Sequence, residues 1–366
     1  EINKLSYSKF LANTISGQIE IKNQKAMISD MVLKTMDGTA QIDILADNTG
    51  DNLIVDLSSI IKGINIKQLF KSFNNFGQST LIDAQINGLA NVNINFSGKW
   101  NNRLEADLKS IEASGNISID KGELISYKKN GEELIHQKGN PGWRNSDTEM
   151  FPIIGPTEAN NFIVATPKGN YNQDQHGLLR ELAYTILHQD DTSFVFKKKY
   201  AAYTAIENSK YPDKSTVRLV SWPYSFNFQK KIELKNEALK ISFEIRAEKG
   251  MPFMLGYHPA FMLQGKLDEI IVSNNQSVAI PTIMAGGNTA YPILNSDEIQ
   301  LIKKSGYNLS IKTTGFNNFM LWTPVSNMLC IEPITAYPYA EGALLSKELF
   351  NSSNGIDTFE LEITPF

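Results

Sequence analysis

Three short stretches set a proton-transfer group beside a residue that restricts it. In "QHGLLRE", His176 precedes Gly177, which tolerates a tight turn that a Cβ would oppose. In "GYHPAF", His258 precedes Pro259, and in "CIEPI", Glu332 precedes Pro333. Proline disfavours the helical region for the residue before it, so His258 and Glu332 are expected to be extended, each projecting off one face of a strand end. Phe253, Leu255 and Phe261 flank the histidine in sequence, and Leu329, Ile331 and Ile334 flank the glutamate. A carboxylate in such company bears an uncompensated desolvation cost unless a partner or ligand meets it. The chemistry implied is acid–base work by side chains that folding brings together. Taken singly, each residue fits a structural role as well, since a histidine beside proline is commonly a satisfied core group and Glu-Pro often marks a strand end. His136 and His188 lie in polar surroundings and read as surface residues. Arg144, in "GWRNSDTEMFP", reads either as a surface cation or as a ligand clamp.

Other chemistries find little footing. No two histidines stand at a metal-ligand spacing and the sequence shows no Cys/His cluster, so no metal site is expected. No P-loop, dinucleotide fingerprint or nucleophile elbow is present, and no cofactor is implied. The single cysteine, Cys330, excludes an internal disulfide framework. A net charge of −4 offers no attraction for nucleic acid or an anionic membrane surface. No apolar run approaches the roughly 18 residues of a membrane span; the longest candidates, such as "FMLGYHPAFML", are interrupted by Gly, His and Pro.

The elements that must position these groups are mostly strands. With 366 residues the chain is long for one core, and 42% hydrophobic with 20% charged residues is ordinary for a globular protein. Residues 1–126 carry no histidine and alternate with period two in "GQIEIKNQ", "TAQIDILADN", "NVNINFSGKW" and "GNISID", each bounded by Gly, Asn or Asp. This reads as an antiparallel meander or grooved sheet. One helix interrupts it: Ile66, Leu69, Phe70 and Phe73 follow helical spacing, with Gly77 as a stop signal. Beyond residue 127, prolines and aromatics become denser, all four histidines occur, and many short strand patterns argue for a larger β-sandwich.

From about residue 122 to 366 the chain resembles the aldose 1-epimerase (galactose mutarotase-like) family, and within it the LacX-like branch. The pieces that carry the resemblance, in order, are "GELISYKKNGEELIHQ", "FPIIG", "QHGLLRE", "MPFMLGYHPAF" and "LWTPVSNMLCIEP". It implies a large β-sandwich with a sugar cleft that interconverts the anomers of an aldose without metal or cofactor. Glu332 would be the base at the anomeric hydroxyl, His258 the acid at the ring oxygen, and His176 a hydrogen-bonding support. The acid and base would face each other across a pocket wide enough for a pyranose. Tyr257 fills a slot where the family often has a second glycine, and is expected to narrow the cleft. The sugar-binding arginine usually stands six residues before Phe-Pro; that slot is Asn145, with Arg144 one residue earlier. Arg180 matches the arginine after His-Gly, although an ion pair within the sheet would explain it equally.

Residues 1–126 resemble the C-terminal part of AsmA-like envelope proteins through "IKGINIKQLFKSFNNFGQSTL", "LANVNINFSGKWNN" and "SIEASGNISIDKGELISY". That resemblance implies a β-rich groove associated with lipid transport or outer-membrane assembly. The string "GELISY" fits the end of one family and the start of the other, so the chain reads as a fusion, with domains 1–124 and 125–366. Rival readings are a sugar-binding module without turnover and an envelope protein carrying a passive sandwich. The epimerase half implies the cytoplasm and the AsmA-like half the cell envelope; the lack of an export pattern favours the cytoplasm. No residue singles out one aldose or an oligomeric state.

Overall fold

The computed structural model describes residues 2–7, 9–74, 89–119, 124, 126–137, 139–143, 147–190, 192–274, 276–339 and 345–366. They divide into two compact units, Glu1–Gly122 with Ala183–Ile186, and Glu123–Leu182 with Leu187–Phe366.

In the first unit the strands Ile2–Tyr7, Phe10–Lys22, Lys25–Thr35, Gly38–Asp47, Leu53–Asn65, Leu89–Trp100 and Glu112–Ile119 each pair antiparallel with the next. This is the meander that the alternation predicts. The alternation buries little, however: Ile19 and Ile21 are 70% and 77% exposed, and a small cluster of Ala12, Ile15, Leu33 and Ala40 is buried. The helix forms over Ile66–Ser72, where the Asn65 side chain accepts from the Gln68 amide at 3.1 Å and caps its start. Gly77, the expected stop signal, lies outside the described residues; the helix closes at Phe73, whose N–H donates to Leu69 O.

The expected seam in "GELISY" falls largely outside the described residues, because only Leu124, Ser126 and Tyr127 of it are described. A hairpin follows. Lys128–Lys129 pairs with Glu132–Glu133, and Asn130 and Gly131 take φ of 48° and 85° at its turn. Both central positions need positive φ in such a turn, which is why Asn-Gly serves there.

The second unit is a β-sandwich. Among the described residues, one sheet orders its strands as Ser193–Tyr200, Phe226–Lys235, Ala238–Ala247, Ile356–Pro365, Leu309–Thr314, Glu298–Ile302, Ile270–Ser273 and Gln276–Ala279. The other orders Glu149–Met150, Gly256–Tyr257, Met328–Ile334, Asn318–Trp322 and Tyr291–Leu294, and Ala260–Met262 also pairs with Met328–Ile334. Alternate residues of facing strands fill one core: Leu239, Ile241, Phe243 and Ile245 from the first sheet, Phe319, Leu321, Leu329 and Ile331 from the second. Met328–Ile334 is buried along its whole length, so both of its faces are covered. One face belongs to the core, and the other forms one wall of a cleft.

Candidate active site

The second sheet sets the central pair by register. Gly256 pairs with Ile334 and Ala260 with Cys330, so the residue midway, His258, stands opposite Glu332 on the same strand. Leu329 and Ile331 point into the sandwich core, and period-two alternation sends Glu332 to the outer face. The two side chains meet there, His258 Nε2 lying 3.3 Å from Glu332 Oε1, and both are almost fully buried. Trp143 stacks on the His258 ring with centroids 4.1 Å apart and an interplanar angle of 24°. Trp322 meets it edge-on at 6.2 Å. These two indoles hold the imidazole plane.

His176 reaches the same place from a loop. Its backbone has φ of 77° and that of Gly177 has φ of 70°. A Cβ on Gly177 would collide with the Phe151 carbonyl, so only glycine fits after the histidine. The His176 conformation itself is strained by about 1–3 kcal/mol for a residue with a side chain. Hydrogen bonds impose it: His176 N donates to Ile154 O at 3.0 Å and His176 O accepts from Phe151 N at 3.1 Å. The ring then stands perpendicular to His258, centroids 5.6 Å apart. Among the described residues no group bonds the buried Nδ1 of His176 or of His258.

Burial dominates the electrostatics. It pushes the Glu332 carboxyl up to about 8, against the opposing pull of Arg180. Burial and then Arg180 hold His258 well below the usual imidazole value. His176 is likewise held well below it by burial, then by Arg180, His258 and Lys210. The His258–Glu332 pair thus favours uncharged forms and holds one proton near neutral pH, a property of the pair rather than of either residue.

The pair opens onto a cleft of about 610 Å³ lined also by Trp143, His176, Arg180, Lys210, Trp322 and Tyr339. That lies within the roughly 300–1,000 Å³ typical of small-molecule sites. Arg180 is placed by its Nε, which donates to the Glu149 carbonyl at 3.1 Å. Lys210 is neutralised by Asp174 at 2.7 Å.

Several expectations change on this geometry. The acid and base do not face each other across the pocket; they are neighbours on one wall, because adjacent segments of one sheet carry them. Tyr257 does not narrow the cleft. It alternates with His258 and so points to the opposite side, where it is fully buried and its hydroxyl donates to Asp147 Oδ2 at 2.7 Å. Arg144 and Asn145 lie outside the described residues. His136 is not a surface residue: it is completely buried, and its Nε2 lies 2.9 Å from the Trp143 carbonyl. His188 is exposed, beside Asp190. Although the sequence shows no Cys/His cluster, folding brings His258, Cys330 and Glu332 together, with donor atoms all within 4.8 Å of one another. Trp143 and Trp322 escaped notice as site residues; "GWRN" and "LWTPV" contain them, but nothing local marks an indole as cleft rather than core.

The aldose 1-epimerase family model matches residues 122–337, and the chain belongs to that family. Among solved structures it is similar to a galactose mutarotase related enzyme from Lactobacillus acidophilus, at 17% identity and TM-score 0.50, covering 74% of this chain and 94% of that one. It is also similar to a galactose mutarotase-like protein from Lactobacillus casei, at 15% identity and TM-score 0.53, covering 74% and 97%. At these identities the likeness is one of fold. No curated protein matches the chain.

Proposed function

We propose that the second unit is an aldose 1-epimerase acting on a free aldohexose, with Glu332 and His258 as the exchanging base and acid. The observation that carries this reading is the 3.3 Å contact of their side chains at the cleft wall. In a pyranose the anomeric hydroxyl and the ring oxygen are bonded to the same carbon. An acid and a base that are neighbours therefore suit the reaction better than a pair on opposite walls. Glu332 takes the hydroxyl proton, the C1–O1 bond becomes a carbonyl, the bond from C1 to the ring oxygen breaks, and His258 delivers a proton to that oxygen. Rotation about C1–C2 and reclosure with the roles reversed give the other anomer.

The reaction needs the pair's single proton on His258 at the start. Burial favours it on Glu332, and a short transfer within the pair produces the competent carboxylate and imidazolium. His176, held neutral, hydrogen-bonds the sugar near the ring oxygen, and Arg180 steadies the charge that develops on the opened oxygen. Each transfer by a positioned group contributes about 10²–10⁴-fold. Anomer exchange followed by NMR or polarimetry on glucose and galactose tests the reading. Acceleration over buffer is expected; binding without acceleration would leave a sugar-binding module instead.

A second reading concerns the first unit, where the AsmA-like resemblance is supported by a groove of about 590 Å³ lined by Phe10, Leu33, Ile61, Leu69 and Phe73. Its almost wholly apolar lining suits an acyl chain. Organic extraction of the purified full chain followed by mass spectrometry is expected to return lipid, and a lipid-free extract would count against it.

A further inference from the structure

We propose that His258 Nε2, Cys330 Sγ and a Glu332 carboxylate oxygen form a site for one zinc-like divalent cation, whose binding reversibly blocks the acid–base pair. The strand Met328–Ile334 supplies two of the donors. Cys330 and Glu332 are two residues apart, so alternation turns both to the outer face. Ala260, which pairs with Cys330, carries the third donor to them two residues earlier in its segment. The three donor atoms lie within 4.8 Å of one another. Two of them are already 3.3 Å apart, close to the roughly 3.3–3.8 Å between donors on a tetrahedral zinc ion. The sulfur completes the triangle with an adjustment of about 1 Å, the scale of a small side-chain rotation.

The donor chemistry selects the cation. One imidazole nitrogen, one sulfur and one carboxylate oxygen suit zinc, and the sulfur disfavours magnesium and calcium. Cys330 is a free, buried thiol. When its sulfur and the Glu332 carboxylate bond the cation, the thiol proton and the single proton held by the His258–Glu332 pair both pass to solvent, and no electron is transferred. Three protein donors leave a fourth position. It faces the cleft that His258 and Glu332 line, and water or a sugar hydroxyl fills it. With its Nε2 lone pair and a carboxylate oxygen engaged, the pair can neither accept nor deliver a proton. The site stands on the donor geometry alone, whereas the block rests on the proposed epimerase reading.

Cobalt(II) as a spectroscopic probe and zinc as a competitor test this on the full chain stripped with chelator. Cobalt is expected to bind one per chain with a near-ultraviolet sulfur-to-cobalt charge-transfer band, and zinc to abolish that band. Cys330→Ala and Cys330→Ser are both expected to lose the band and weaken zinc binding at least about tenfold, since even an outer-shell partner is worth that much. In chelator both variants should keep wild-type anomer exchange, and zinc should slow exchange in the wild type alone. Absence of the band from the wild type, or its persistence in both variants, overturns the site. A chain with the Cys330-dependent band but no exchange even in chelator upholds the site and refutes the epimerase reading instead. Undiminished exchange in zinc-saturated, band-positive wild type overturns the block.

Discussion

The two units use the same local element to opposite effect. In the first, antiparallel strands alternate apolar and polar residues, yet Ile19 and Ile21 stand 70% and 77% exposed, and the buried cluster is four small or medium side chains. In the second, strands that are mostly shorter bury nearly every inward residue, because a second sheet covers the first. The strand Met328–Ile334 is buried on both faces. The difference teaches where polar chemistry becomes effective. A carboxylate on an exposed sheet stays in contact with water, as at Asp43 and Asp56, which are exposed along an open groove. Glu332, on a strand covered from both sides, is pushed up to about 8 by burial. The second layer, rather than the strand itself, makes a base.

The largest expected effect separates the units by activity. Glu332→Gln should lower anomer exchange by about 10³-fold, within the range for a positioned proton-transfer group, with the melting temperature nearly unchanged. Unaltered exchange in that variant would remove the base assignment. His258→Asn is expected to follow closely, at about 10²–10³-fold, and His176→Asn to cost less, because it supports the transfer without making it.

The pH profile sharpens the same contrast. Glu332 is raised from 4.5 to about 8, and the pair needs one proton between its members. Exchange measured in chelator should therefore fall as pH rises through about 8, by up to tenfold per unit. A rise across that interval would mean the carboxylate works without the histidine as its acid. The stability linkage has the same sign. The folded state holds the Glu332 proton more tightly than the unfolded chain, so this contribution is complete below about pH 4.5 and is lost as pH climbs through about 8.

Core substitutions come next. Leu361, fully buried in the sandwich, should lose about 3–5 kcal/mol on change to alanine, and Leu33, in the small cluster of the first unit, about 2–3 kcal/mol. Chemical denaturation followed by circular dichroism measures both. Only the first is expected to reduce anomer exchange at elevated temperature, and equal losses would erase the contrast between covered and uncovered sheets. The smallest effect belongs to Ile21→Thr, expected within about 0.5 kcal/mol of the parent because the side chain is solvated already.

Much of this was readable before folding. Period-two alternation specified the strands, and Ile66, Leu69 and Phe70 the helix. The proline after His258 and after Glu332 marked both as extended, and Gly177 marked the turn at His176. The errors share a cause. Tyr257 is expected at the cleft from the slot it fills in the family's pattern, and His136 at the surface from its polar neighbours in sequence, but facing is set by register and by what packs above. The indoles of Trp143 and Trp322 carry no local sign that distinguishes a cleft wall from a core.

The amino-acid sequence by itself determined which groups can exchange protons and which backbone forms hold them, since those follow from side-chain chemistry and from steric limits on neighbouring residues. The tertiary structure alone decided that a histidine and a glutamate 74 positions apart become neighbours on one wall, with a cysteine beside them. That depends on strand register across a sheet, and on the burial a second sheet imposes, neither of which is encoded in any short stretch of chain.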